Sequence, residues 1–572
     1  MHSNLRLAPR RTELEKRPDG TFLMRSPEPL GPAARCITEW LVDWSRKAPE
    51  RPFLAERKGE SWRTVSYLEA YGAARRIGQA LIDLGLGAER PLAILSDNSV
   101  DHALLMLGAL HVGIPVAPVS PAYSLMSKDF GKLKYIFELV KPGAVWTADP
   151  QKFAPALEAV KASPLSIAAL LETNPASTLE REHMRVSGKT TAKILFTSGS
   201  TGMPKGVINT HGMLCANQQQ MAQVWPFLED RAPVVVDWLP WNHTFGGNHN
   251  FNMVLRNGGT LYVDGGKPMP GLIETTVRNL REVSPTLYFN VPRGFDLLLP
   301  FLEKDEALRR SFFRNLDVLF YAAAALPQNL WDRLKELSLK EGRSGLAMLS
   351  AWGSTETSPL ATSVHFPMER PGVIGLPIPG CELKLVPAAG KLEVRVRGPN
   401  ITPGYYRRDD LTTAAFDAEG FYRIGDAVKF ADDADPSRGI VFDGRVAEDF
   451  KLTTGTWVHV GALRVKLIAA GDPLIQDAVI TGHDRDDIGA LVFLTPAAKG
   501  ADVKAKLLEI LKGFSGEASS TRITRLMVMT EPPSIDANEI TDKGYMNQRA
   551  VLEKRAALVE KLYAAPPGVV DA

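Results

Sequence analysis

Phe196-Thr197-Ser198-Gly199-Ser200-Thr201-Gly202-Met203-Pro204-Lys205-Gly206 follows directly on a short apolar run, Ala192-Lys193-Ile194-Leu195. Glycines let the backbone turn sharply and bring its N–H groups close to an anion. The hydroxyls of Thr197, Ser198, Ser200 and Thr201 add further donors, and Lys205 adds a point charge on a long stem. Together these are the parts of a polyphosphate cradle. The spacing is not that of a Walker loop, because Lys205 is followed by Gly206 and not by Ser or Thr.

The segments around this loop alternate helix and strand. Residues 68–84 read as an amphipathic helix ending at Gly85, 91–95 as a short buried strand, and 115–119 as another. Asn98 is placed to cap a helix running to about Val112. Beyond the loop, strands are expected at 234–236, 261–263, 287–289 and 318–320, with helices near 271–283, 293–301 and 329–341. Strands and helices in this alternation make βαβ units on a mostly parallel sheet, which binds ligands at the carboxyl ends of its strands. After Leu383 the texture changes to short strands such as 391–396 and 440–442, and a separate α+β alternation follows Asp443-Gly444-Arg445.

A chain of 572 residues is too long for one core. The expected division is an extended N-terminal arm (1–36), a large α/β-layered domain with a small β-rich subdomain (37–443), and a small α+β C-terminal domain (444–572). With 67 basic and 65 acidic residues, there is no electrostatic case for nucleic acid. No stretch approaches the roughly 20 apolar residues that span a bilayer, and the N-terminus lacks a signal-peptide core. Cys36, Cys215 and Cys381 are scattered without metal-ligand spacing, which suits reduced thiols in the cytoplasm. Sequence alone fixes no oligomeric state.

In its order, the 196–206 string resembles the phosphate-loop signature of the acyl-adenylate-forming superfamily: acyl-CoA synthetases, peptide-synthetase adenylation domains and luciferases. Further elements follow in the order that family requires. Leu239-Pro240-Trp241-Asn242-His243-Thr244-Phe245-Gly246 looks like its proline–aromatic–His–x–x–Gly element, and Tyr321-Ala322-Ala323-Ala324-Ala325-Leu326-Pro327 is similar to its adenine-side run. Trp352-Gly353-Ser354-Thr355-Glu356-Thr357 resembles the aromatic-Gly-x-Thr-Glu motif. Tyr422-Arg423-Ile424-Gly425-Asp426 and Gly444-Arg445 resemble the elements behind it. The likeness extends from about Ile37 to Arg555.

The resemblance implies a two-step acid–thiol ligase: a carboxylate attacks the α-phosphate of ATP to give acyl-AMP, and the thiol of coenzyme A then displaces AMP. It implies that 197–205 (Thr197, Ser198, Gly199, Ser200, Thr201, Gly202 and Lys205) hold the β- and γ-phosphates. Thr355 would bond a phosphate, Glu356 would bind Mg²⁺, and Asp426 and Arg445 would meet the ribose. Ala323, Ala324, Trp352 and Gly353 would lie beside the adenine. His243, Phe245, Ala325 and Ala351 would line the acyl pocket, and Lys543 would bridge the carboxylate and the α-phosphate. Two departures stand out: Ala447 replaces the usual Asp or Lys hinge, and the lysine element reads Glu539-Ile540-Thr541-Asp542-Lys543-Gly544-Tyr545. That string and Glu448-Asp449-Phe450-Lys451-Leu452-Thr453-Thr454-Gly455-Thr456-Trp457-Val458 look like those of bacterial feruloyl-CoA synthetases and close aryl-CoA ligases. The residues leave open a medium-chain fatty or other aryl acid, a stand-alone adenylation enzyme, and a non-catalytic nucleotide-binding protein.

Overall fold

The structure, a computed structural model, describes residues 5–197, 202–388, 390–495, 498, 502–542 and 544–572. Apolar runs flanked by turns become the strands. Ala144–Trp146, Leu92–Ile94, Val116–Pro118 and Thr191–Thr197 pair in that order, all parallel, and Lys205–Thr210 closes the sheet antiparallel. A second, eleven-stranded sheet starts with the parallel strands Leu287–Asn290, Val318–Tyr321 and Ala347–Gly353, then turns antiparallel. The β-rich part is therefore continuous with the parallel part. A four-stranded sheet (Val234–Asp237, Thr260–Val263, Pro52–Lys58, Ser61–Ser66) completes the large domain.

Helices begin where side chains satisfy the first free N–H groups. Tyr67–Asp83 starts with a reciprocal capping box: Glu69 N–H donates to Ser66 Oγ (3.2 Å), and Ser66 N–H donates to Glu69 Oε2 (2.7 Å). Such a cap stabilises by about 1 kcal/mol. Its buried face of Ala70, Ala74, Ile77 and Leu81 follows the helical repeat. The helix Val100–His111 is capped by Ser99, not by Asn98 as the sequence suggests. Asn98 instead ties two backbone groups 141 and 143 residues away: its amide donates to Leu239 O, and its oxygen accepts from Trp241 N–H, both at 2.9 Å.

The N-terminal segment is a hairpin (Glu13–Lys16, Phe22–Arg25) whose second strand pairs with Glu382–Ala388 and extends the large sheet. Fully buried Met24 anchors it, because leaving that sheet edge would expose an apolar side chain worth roughly 1.5–3 kcal/mol. At the other end, Ile440–Arg445 belongs to the same sheet, so the large domain runs through Arg445. The C-terminal domain carries its own sheet (Ile475–Thr481, Ile488–Leu494, Ile523–Val528, Gly568–Asp571) over a separate core that includes Leu463, Leu467 and Leu507. No helix of the described residues is long and apolar enough to cross a membrane. The three cysteines are free and buried.

Candidate active site

The phosphate-loop sequence is held between two paired strands. Thr197 ends Thr191–Thr197, Lys205 opens Lys205–Thr210, and the two residues are register partners. Ser198, Gly199, Ser200 and Thr201 lie outside the described residues, as does Lys543. The outgoing strand is stitched to the 402–406 segment. Tyr406 N–H donates to Gly206 O (2.7 Å), Ile208 N–H to Gly404 O (3.1 Å), and Thr402 Oγ1 to Ile208 O (2.7 Å).

That stitching brings Tyr405 under the loop. The Lys205 ammonium stands 5.2 Å from the centre of the Tyr405 ring, and Tyr405 OH donates to Glu356 Oε1 at 3.1 Å. Tyr422 OH lies 3.1 Å from Tyr405 OH. Burial, reinforced by the Glu356 charge, pushes both phenols upward, so they stay protonated as donors. Glu356 and Thr355 are both buried, on a short 3₁₀ turn, Thr355–Thr357, capped by Ser354. Tyr422 opens the string that ends at Asp426, but the sequence assigns neither tyrosine a role: Tyr405 reaches this place by pairing with Val207, some 200 residues away, and Tyr422 through Tyr405.

Asp426 is 5% exposed and raised above the ordinary carboxylate range, chiefly by burial, against the opposing pull of Arg445 and a hydrogen bond from Trp352. Its Oδ2 accepts from Trp352 Nε1 (2.9 Å). Its Oδ1 has Arg445 Nε at 2.9 Å, yet among the described residues no aligned hydrogen bond reaches it. Buried acceptors are normally satisfied, so Oδ1 is set up to accept from an incoming hydroxyl. Trp352, Asp426 and Arg445 thus form one cluster. Gly353 is exposed and Ala351 half-buried on the same strand. Ala323, Ala324 and Ala325 are exposed on the loop after Val318–Tyr321, while Ala322 N–H reaches Asn290 O at 3.4 Å.

His243 sits on a turn that Asn98 holds from below, leading into a π-helix, Phe245–Asn250. Gly246 and Gly247 allow this turn: a Cβ on either would come within 2.2 Å of Leu239 O or 2.3 Å of Trp241 O. Buried Lys193 supports the π-helix by donating to Gly247 O (2.7 Å) and Asn248 Oδ1 (3.2 Å); desolvation alone lowers it to about 7. Half-exposed Phe245 meets His249, Phe289 and Phe320 edge-on, with centroids 5.7, 6.4 and 5.7 Å away. Burial lowers His249 to about 4, so it is neutral near pH 7.

The C-terminal domain reaches this cleft through its 534–542 loop. Lys132 Nζ donates to Ile535 O (2.6 Å) and Asn538 Oδ1 (3.2 Å), while Asp536 accepts from Ser127 Oγ (2.7 Å) and Lys128 N–H (3.0 Å). Asn538 Nδ2 comes within 3.7 Å of where a Gly202 side chain would start. Asp542 Oδ2 lies 3.3 Å from His243 Nε2. A second bridge lies two residues beyond Ala447. Buried Lys391 of the large domain pairs with buried Asp449, which also accepts from Val460 N–H (3.1 Å).

Comparison with known proteins places the chain in a family. An AMP-binding enzyme family model matches residues 41–406, and an AMP-binding enzyme C-terminal domain model matches 452–566. The chain is 26% identical to the 3-hydroxybenzoate–CoA ligase of Aromatoleum sp. (strain CIB) over 452 residues, 74% of this chain and 80% of that protein. It is 25% identical over 339 residues to a probable CoA ligase of Humulus lupulus, a match that takes in 55% of this chain but spans only about half (53%) of that relative. The solved structure of an anthranilate CoA ligase with anthranoyl-AMP superposes with a TM-score of 0.72 at 20% identity, over 93% of this chain and 99% of that one. Likeness at that identity speaks to the fold alone, whereas the first family model covers more than half of the sequence. The chain belongs to the AMP-binding enzyme family.

Proposed function

We propose that the protein is an ATP-dependent acid–CoA ligase whose acid is aromatic, of the hydroxycinnamic, feruloyl type. The observation that carries the nucleotide part is the buried Asp426 carboxylate, set between Trp352 Nε1 and Arg445 with Oδ1 short of an aligned hydrogen bond, and Glu356 and Lys205 gathered around Tyr405. One end offers an acceptor for a ribose hydroxyl, and the other offers a cation and a carboxylate for a polyphosphate.

Among the described residues no group of three or more His, Cys, Asp or Glu could hold a metal. Mg²⁺ takes one or two protein carboxylates and completes its shell with phosphate and water. Glu356 would hold it, and the ion would neutralise charge on the phosphates.

In the first half-reaction a carboxylate oxygen forms a bond to the α-phosphorus, and the bond to the pyrophosphate oxygen breaks. Thr197 to Lys205 and Thr355 position the phosphates, Asp426 and Arg445 the ribose, and Lys543 the attacking carboxylate. In the second, the thiol of coenzyme A attacks the acyl carbon, AMP leaves, and the thiol proton goes to solvent. Phe245, with Phe289, Phe320 and His249 behind it, supplies flat walls beside His243, and Ala351 adds a small side chain next to Trp352. Rings of this kind stack well on a planar acid. The resemblance of the 448–458 and 539–545 strings to feruloyl-CoA synthetases supports the choice of acid, and the 3-hydroxybenzoate ligase supports the aryl class.

A panel of ferulate, 4-coumarate, 3-hydroxybenzoate, benzoate and octanoate, assayed with ATP and coenzyme A, tests the acid. Ferulate and coumarate are expected to lead. A tenfold higher kcat/KM for octanoate or benzoate, about 1.4 kcal/mol, would reverse that choice. Lys543→Ala is expected to abolish acid-dependent pyrophosphate release; full activity in that variant removes the lysine from the mechanism.

A further inference from the structure

We propose that Asp542 is a positioning residue for the first half-reaction, coupling the seating of the C-terminal domain to the orientation of His243. This rests on the acid-activating reading above. The two side chains belong to different domains and are 4% and 12% exposed, with Oδ2 and Nε2 3.3 Å apart. A buried carboxylate is costly unless it is paired, so this contact is one that both domains have reason to keep.

Each partner is delivered by a rigid support. His243 has both backbone groups engaged: its N–H donates to Pro240 O (3.1 Å), and its carbonyl accepts from Gly247 N–H (2.8 Å). The ring in turn meets Asp542, whose Oδ2 stands 3.3 Å from Nε2. On the other side, Glu539 preforms the loop. It accepts from Ser534 N–H (2.9 Å) and pairs with Arg555, whose guanidinium also donates to Glu531 O and Pro532 O, both at 3.1 Å. The same loop docks through Lys132 and Asp536, so Asp542 arrives at His243 as the tip of an already ordered unit.

Charge gives the contact its meaning. A substrate carboxylate must approach His243, and an unpaired Asp542 carboxylate at that place would repel it. Paired with Nε2, Asp542 holds the imidazole in one orientation for the acid. Among the described residues, Tyr123 and Lys132 both feel the Asp542 charge, which favours protonated Lys132 against its burial. Because Asp542 rides on the C-terminal domain, the pair exists only while that domain is seated as in this structure. Its effect therefore belongs to the step catalysed in this arrangement, the one that needs Lys543 in the cleft.

The experiment uses the full-length enzyme with ferulate and separates the half-reactions. Acid-dependent ATP–pyrophosphate exchange reads the first, and conversion of synthetic feruloyl-AMP with coenzyme A to the thioester reads the second. Asp542→Ala is expected to lower exchange roughly 10- to 100-fold, the scale of a lost charged hydrogen bond, and to raise KM for the acid. Asp542→Asn keeps an acceptor oxygen and is expected to recover part of that loss. Thioester formation from feruloyl-AMP is expected to stay within about twofold of wild type in both. Exchange unchanged in Asp542→Ala overturns the proposal. So does an equal fall in both half-reactions for both variants, which marks a structural role. Absence of exchange in the wild-type enzyme with every acid of the panel would instead refute the acid-activating reading itself.

Discussion

Replacing Gly353 with alanine should disable the site through a single methyl group. A Cβ built there would lie 1.8 Å from Pro359 O and 2.6 Å from Thr357 Oγ1. Carbon and oxygen tolerate about 3.3 Å, so the strand Ala347–Gly353 and the following turn must separate by roughly 1.5 Å. That turn is tightly bonded internally: Ser354 N–H donates to Thr357 Oγ1 (2.8 Å) and Glu356 N–H to Ser354 Oγ (3.2 Å). It moves as a block, carrying Thr355 and Glu356 away from Lys205 and Tyr405. A displacement near 1 Å at catalytic groups costs on the order of 100-fold, while overpacking of this kind costs about 1–3 kcal/mol of stability. The assay is acid-dependent ATP–pyrophosphate exchange beside a thermal melt. Gly72→Ala is the control, because its helix position has no heavy atom within 4 Å of a new Cβ. The reasoning fails if Gly353→Ala exchanges within threefold of wild type, since Glu356 would then not depend on that close approach.

Asp426→Asn is expected to raise KM for ATP and lower kcat/KM roughly 10- to 100-fold through loss of a charged acceptor, with little change in KM for coenzyme A; an unchanged KM for ATP would remove Asp426 from the nucleotide site. Acid should unfold the protein early. Burial lowers His102, His249 and His365 to about 4, and His111 and His211 to about 3. With folded values below the unfolded 6.5, the unfolded chain binds protons first. Their contribution is then full above pH 6.5 and lost as pH falls toward 4, by up to about 1.4 kcal/mol per unit for each histidine. Asp237, raised to about 7 by burial, works the other way and offsets one of them. A thermal midpoint that stays flat between pH 6.5 and 5 would contradict this account.

How much of this was legible in the sequence depends on how local the cause is. The strands Leu287–Asn290 and Val318–Tyr321 were readable because burial on both faces leaves a continuous apolar run. The strand Ala347–Gly353 was not, since Ser350 and Ala351 dilute that signal and its place is set by pairing on both edges. Ser99 and Asn98 are both good caps, and a contact with Leu239 and Trp241 decides between them. The hairpin at 13–25 hides for the same reason: its charged, alternating strands acquire meaning only against Glu382–Ala388.

The site divides along the same line. Thr197, Lys205, Thr355, Glu356, Asp426 and Arg445 stand in strings that resemble those of the acyl-adenylate-forming superfamily, so the resemblance proposes a role for each before any contact is known. What seats the C-terminal domain against them is long-range, and there the sequence points elsewhere. Ala447 reads as a missing hinge residue, yet Asp449, two positions on, makes a buried pair with Lys391. Asp542 belongs to the second string that departs from the family's usual reading, yet it meets His243. Both carboxylates sit on the C-terminal side of the boundary and both partners on the large domain, so one ordered arrangement satisfies them together. Breaking that arrangement leaves two nearly buried carboxylates and one buried lysine to be rehydrated. A chain that dispenses with the usual hinge residue can therefore still define where its second domain rests, through the partners it places at the two ends of the interface.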